Sequence, residues 1–162
     1  MLVVSDSDVV IHLAKLGKLI LIKEQYGSVF IPDFVENEIT NGQFDEVIDI
    51  REAINDQILK VSQTRSEKAI SLSKKYRIHQ GEAHVKELAE RLKAEIFLSN
   101  ERRVRKAAKE EGFVVVGTIG LVLRSVADNR MTKEEAESLL NMLRADEFRI
   151  HPHIIDLAVD SL

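Results

Sequence analysis

The stretch VVSDSDVVIHLAKLGKLILIKEQYGSVFIPDFVENEI, residues 3–39, decides the fold. With Leu2 it opens on a short β-branched run that ends at Asp6, the pattern of a buried parallel strand. Residues 8–16 and 18–26 then carry apolar side chains at helical spacing, with Gly17 as the break and Gly27 as the stop. Residues 28–31 (SVFI) read as a second strand, closed by Pro32, which suits the first turn of a helix over 33–40.

The same alternation continues outward. Asn41-Gly42 marks a turn, and residues 44–57 and 64–76 are amphipathic helices with the weakly strand-like LKVS of 59–62 between them. His79-Gln80-Gly81 opens a helix over 81–94, and residues 96–99 (IFLS) form another strand. A charged helix over 101–111 stops at Gly112, and Val114-Val115-Val116 is a further strand. Helices to about 127, over 132–144 and over 152–161 complete the chain. Short buried strands alternating with helices predict an α/β sandwich around a parallel sheet. There is no internal repeat, low-complexity tract or shift in composition, so residues 1–162 read as a single domain.

Composition narrows the function classes. Hydrophobic residues make up 44% of the 162 and charged residues 31%, as in a soluble globular domain. Cysteine is absent, which excludes disulfides, iron–sulfur clusters and thiolate zinc sites and fits a cytoplasmic location. Asp6 and Asp8 interrupt the first apolar run, which has no basic leader and does not read as a signal peptide. No apolar stretch reaches the length of about 20 residues that spans a bilayer. The formal net charge of −4 argues against diffuse nucleic-acid binding and leaves a local basic patch or a bound cation as the route to such a partner.

In an open parallel sheet, ligands bind beyond the carboxyl ends of the strands. The first strand delivers Asp6, Ser7 and Asp8 to that edge, and the strand at 96–99 delivers Ser99, Asn100 and Glu101. Glu38, late in the helix after the second strand, and Glu82, in the first turn of the helix from 81, are placed to join them. Oxygen ligands without cysteine or a histidine set suit Mg2+ or Mn2+. Two carboxylates repel by about 4 kcal/mol at 4 Å and an effective dielectric near 20, so convergence of these acids implies a cation. A cation there could activate water for phosphodiester hydrolysis.

Three segments carry a resemblance. The stretch 3–39 resembles the opening of PIN domains related to VapC-type toxins, HQGEAHVKELAERL at 79–92 is similar to the central GEA helix of one branch, and FLSNERRVRKAAKEEGFVVVGTIGLVL at 97–123 resembles the acidic or amide turn, basic helix and following strand. They keep the family order and cover most of the chain. The resemblance implies a PIN-like three-layer α/β/α sandwich with a central, mostly parallel sheet of four or five short strands. It places metal-binding and catalytic residues at Asp6, Glu38 and Glu82, with Asn100 at a fourth position that is Asp or Asn in the family. It implies metal-assisted cleavage of RNA, a role as the toxin of a type II toxin–antitoxin pair, a cognate antitoxin and a homodimer. Asp8 and Asn100-Glu101 depart from the family pattern.

Each residue also has a purely structural reading. Asp6 suits a helix cap, Asp8 a first-turn charge, and Glu38 a solvated helix face. Glu82 is favoured near a helix start by the macrodipole. Asn100 reads as the N-cap of the helix from 101, with Glu101 in its first turn. Arg102, Arg103, Arg105 and Lys106 form a basic run that suits solvent or RNA phosphates. Gly117-Thr118-Ile119-Gly120 lacks the lysine and the remaining glycines of a phosphate loop, and the five histidines share no metal spacing. Two rivals remain: a PIN fold that has lost catalysis and serves as a scaffold or RNA-binding module, and a nucleotide-binding or receiver-like α/β domain. The missing lysine after Val116 counts against a receiver.

Overall fold

A computed structural model describes all residues, Met1–Leu162. The elements in chain order are β1 (Val3–Ser5), α1 (Ser7–Lys15), α2 (Ile20–Tyr26), β2 (Val29–Pro32), α3 (Asp33–Thr40), α4 (Val47–Asn55), β3 (Leu59–Ser62), α5 (Ser66–Tyr76), α6 (Gln80–Leu92), β4 (Ile96–Leu98), α7 (Arg102–Glu110), β5 (Val114–Val116), α8 (Thr118–Ala127), α9 (Lys133–Met142) and α10 (Pro152–Asp160). A short 3-10 turn, Asp146–Phe148, precedes α10. The chain divides into two compact units, Met1–Val116 with the sheet and α1–α7, and Gly117–Leu162 with α8–α10. No helix is long and apolar enough to cross a membrane.

All five strands are parallel, in the order β3-β2-β1-β4-β5. The α/β class and the parallel sheet are therefore as expected, with β3 as a full member. LKVS looks weak in sequence because β3 is an edge strand: Leu59 is buried, Val61 is partly exposed, and Lys60 lies over the Phe30 ring at 5.8 Å. The central strands β1 and β4 are buried along their whole length, in register Val3–Ile96, Val4–Phe97 and Ser5–Leu98. That is why they read as continuous apolar runs rather than as alternations.

The chain runs outward from β1 through β2 to β3, then returns to the other side of β1 for β4 and β5. The order thus reverses between β1 and β4, the switch point at which open sheets form a crevice beyond their carboxyl ends. The Asp6 amide donates to the Leu98 carbonyl at 3.0 Å, which fastens the two strand ends that flank the crevice.

Three local readings change. Pro32 is the last residue of β2, in extended geometry with ψ 152°, and stands just before α3 rather than within its first turn. Residues 41–46 form turns, so α4 starts at Val47 rather than at 44. Asn100 does not cap α7: Glu101 holds that position, and its amide donates to the Ser99 hydroxyl at 3.2 Å.

Candidate metal centre

Asp6 does two jobs at once. It is the N-cap of α1, with Oδ1 accepting from the Val9 amide at 3.1 Å. Its side chain is buried at 2% exposure, and its other oxygen, Oδ2, has no hydrogen-bond partner. Burial pushes the Asp6 carboxyl up to about 7, and the charges of Asp8 and Glu82 push the same way. Ser99 and the Val9 amide pull it down, although no hydroxyl comes into good hydrogen-bond range of Oδ2. The cap reading of Asp6 is borne out through Oδ1, and Oδ2 is left over from it.

Glu82 is the third residue of α6, and its Oε2 is likewise buried without a partner. Glu38 comes from the last turns of α3 and meets the start of α6 at Gly81. A Cβ built on Gly81 would lie 2.5 Å from Glu38 Oε1. The glycine of the HQGEA segment thus makes room for the Glu38 carboxylate beside Glu82. Partial burial raises the Glu38 pKa, the charges of Glu82 and Asp8 add to that rise, and His79 offsets part of it.

The charges of Asp8 and Glu82 thus lie close enough to oppose the ionisation of both Asp6 and Glu38. No three of them are gathered into a ready ligand set. The donor chemistry nevertheless fits a hard divalent cation: two carboxylate oxygens are out of water with no hydrogen-bond partner.

Asn100 follows β4 at the same edge, and its Nδ2 donates to His12 Nδ1 at 3.0 Å. His12, a buried residue in the last turn of α1, was without a role in the sequence. Its spacing to Asn100 is 88 residues, so only the β1–β4 neighbourhood brings them together. Glu101 is exposed and lines a neighbouring cleft with Arg77, His79, Glu82, Arg102 and Arg103. Arg77 was also unread in sequence. It sits at the C-terminus of α5 in a left-handed conformation, φ 54°, which turns the chain toward α6.

An all-parallel α/β sheet with buried acids at its switch point is thus in place, and the comparisons with known proteins say which fold family it belongs to. Residues 2–162 match the model of the family DUF3368, described as a PIN domain, and the chain belongs to that PIN-domain family. PIN domains typically use divalent metals. The crystal structure of PAE2754 from Pyrobaculum aerophilum shares the fold, with a TM-score of 0.57 at 14% identity over 78% of this chain and 98% of that one. No curated protein matches the sequence.

Proposed function

We propose that this PIN domain is a Mg2+- or Mn2+-dependent endoribonuclease, the toxin of a type II toxin–antitoxin pair, with 1–162 acting as one domain. The observation that carries the reading is the pair of buried, unpartnered carboxylate oxygens, Asp6 Oδ2 and Glu82 Oε2, at the crevice beyond β1 and β4. Unsatisfied buried charge is costly, and a fold retains it where a ligand supplies the missing partner. Asp6, Glu38 and Glu82 would hold the ion. Asn100, at the same edge with its amide nitrogen on His12, would stand as a fourth ligand. A bound divalent ion activates water and steadies charge on the phosphate. The chain's own part is to fix the acids: the Val9 amide orients Asp6, Gly81 admits Glu38, and Ser99 stands beside Asp6 and holds the start of α7 through Glu101.

The test is cleavage of single-stranded RNA by purified protein with Mg2+ or Mn2+, with EDTA as control. Asp6→Ala and Glu82→Ala are expected to lose activity by at least about 100-fold, the scale for groups that hold charge in a transition state. Asn100→Ala is expected to retain measurable activity, because losing an amide contact costs less than losing a charged ligand. Asn100 in place of an acid, and acids not gathered into a ready ligand set, favour one rival, a lapsed nuclease that serves as a scaffold. Under that rival the wild type is inert with both metals and Asn100→Asp gains cleavage. For the partner half of the proposal, Met142, Ile154 and Leu157 are exposed apolar side chains on α9 and α10. Light scattering that shows a monomer, with no small DNA-binding protein encoded beside this one, counts against a homodimer and an antitoxin.

A further inference from the structure

The cleft beside the candidate metal centre has a volume of about 510 Å3 and is walled by Arg77, His79, Glu82, Glu101, Arg102 and Arg103. Three arginines gather there in a chain whose net charge is −4. They come from separate places, Arg77 from the end of α5 and Arg102 and Arg103 from the start of α7. Arg103 Nη1 donates to the Arg77 carbonyl at 3.4 Å, which ties the two walls together. Two features join the cleft to the acids. Glu82 forms part of its wall, and His79 is near enough to Glu38 to favour that carboxylate's charged form.

We propose that this cleft is a nucleotide subsite that grips a backbone phosphate of single-stranded RNA next to the phosphate presented to the acids. The inference rests on the ribonuclease reading above. Its volume falls within the range of small-ligand sites, about 300–1,000 Å3, and suits one nucleotide rather than the full width of a duplex. Arginine is suited to the role because its planar fork meets phosphate oxygens two at a time. Glu101 and Glu82 oppose the arginines, so the cleft attracts an anion most strongly when a cation offsets Glu82. The subsite therefore makes cleavage depend on a nucleotide beyond the scissile phosphate, and a dinucleotide monophosphate should be a poor substrate.

The experiment separates this subsite from the catalytic reading by measuring binding without metal. Anisotropy of a labelled 12-nucleotide single-stranded RNA is followed in EDTA over a range of KCl concentrations. Arg77→Gln/Arg102→Gln removes two charges and spares the Arg103 tie. Losing the one phosphate contact that the cleft makes is expected to flatten the slope of log affinity against log salt by about 0.7. Arg77→Lys/Arg102→Lys should restore most of the slope, since charge is kept. Arg105→Ala/Lys106→Ala, on α7 but outside the cleft, should leave it near the wild-type value. Equal flattening in the two charge-removing doubles would mean a diffuse basic helix and overturns the proposal. No flattening in the cleft variant, or no RNA binding by the wild type at low salt, overturns it as well. A wild type that binds as described yet cuts nothing with Mg2+ or Mn2+ sinks the ribonuclease reading and leaves the subsite standing.

Discussion

The first turn and the middle turns of α6 treat buried charge in opposite ways. Its first turn carries Glu82 with an orphaned oxygen, while its middle turns carry His84, Lys86 and Glu87, all buried and all partnered. Lys86 Nζ lies 2.6 Å from Glu90 Oε1 and 3.4 Å from Glu111 Oε1, and 4.7 Å over the Tyr76 ring. Tyr76 in turn donates to Glu111 Oε1 at 2.6 Å. Glu87 accepts from the Arg65 amide and from Arg91 Nε, each at 3.3 Å. His84 meets the Thr64 hydroxyl through Nδ1 and stacks on Phe34 with ring centroids 4.5 Å apart. Thr64 also donates to Asp33 Oδ1 at 3.0 Å, so His84 Nδ1 carries the proton in that contact. Burial lowers the His84 pKa and keeps the ring neutral.

The comparison teaches how to tell scaffold from site when both are polar and out of water. Around the middle of α6 the protein supplies every partner itself, so those groups fasten α3, α5 and α7 around one helix. At the first turn it withholds the partner. A buried charge left unpaired weakens the fold, whereas removing one member of a completed pair does the damage in the other region. The two regions should therefore answer differently to pH, mutation and metal.

The largest effect is expected from pH. In the metal-free protein the Asp6 carboxyl is raised from 3.8 to about 7, so between those values the folded state holds a proton that the unfolded chain has released. Stability must then fall as pH rises through that window, by on the order of 4 kcal/mol from Asp6 alone. Glu38, also raised, adds to the same trend. Urea unfolding in EDTA at pH 5 and pH 8 measures it, and Asp6→Asn should flatten the difference. An unchanged pH dependence in that variant would place the titrating group elsewhere.

Next comes Lys86→Ala. It removes the buried centre of the Glu90–Glu111–Tyr76 cluster, and breaking such pairs costs about 3–5 kcal/mol when both partners are buried. Glu90 and Glu111 are partly exposed and regain water, which brings the expected loss to about 2–3 kcal/mol. Glu82→Gln in the first turn of the helix should stabilise the metal-free protein instead. The contrast collapses if both variants shift the urea midpoint in the same direction.

Metal should reverse the weakness of the first turn and leave the middle untouched. A ligand at a hundredfold excess over its dissociation constant stabilises the folded state by about 2.7 kcal/mol. For a chain of this size that is roughly 5–10 °C in Tm. Mn2+ or Mg2+ should therefore raise the Tm of the wild type and of Lys86→Ala alike, and that of Asp6→Asn far less. Equal shifts in all three would mean that the ion binds away from the acids.

Much of the candidate site was legible because it lies next to strand ends. Asp6 and Asn100 each follow a short apolar run that is buried throughout, and the strand reading puts both at the same edge of the sheet, where the order β1-β4 then makes them neighbours. Glu38 and Glu82 could be placed near that edge from their helices, but helical spacing does not tell which face of α3 meets α6, and the family resemblance singled them out. His12 and Arg77 were invisible for the same physical reason: their partners are fixed by the sheet order and by a left-handed turn, neither of which leaves a periodic mark. The buried network of α6 was equally hidden. HQGEAHVKELAERL looks like an amphipathic surface helix, and only its position between α3, α5 and the sheet turns Lys86 and Glu87 inward.

The smallest effect on stability is expected at the joint between the two regions, where it is the most informative. Gly81 lies within α6, where alanine is favoured over glycine by up to about 1 kcal/mol. The atom that a new Cβ would meet, Glu38 Oε1 at 2.5 Å, belongs to the tip of a flexible side chain that can swing aside. Gly81→Ala should therefore fold as well as the wild type, with a Tm unchanged or slightly higher. Its cost falls on the acids: Glu38 moves off the first turn of α6 and away from Glu82, so the metal-dependent rise in Tm should shrink and RNA cleavage should drop by about tenfold, the scale for a ligand displaced rather than removed. Glu38→Gln in the same background should add little further loss, because the two changes act on one carboxylate. If Gly81→Ala lowers stability by 1 kcal/mol or more while metal response and cleavage stay at wild-type values, the glycine serves helix packing alone, and the path by which Glu38 reaches the centre is wrong.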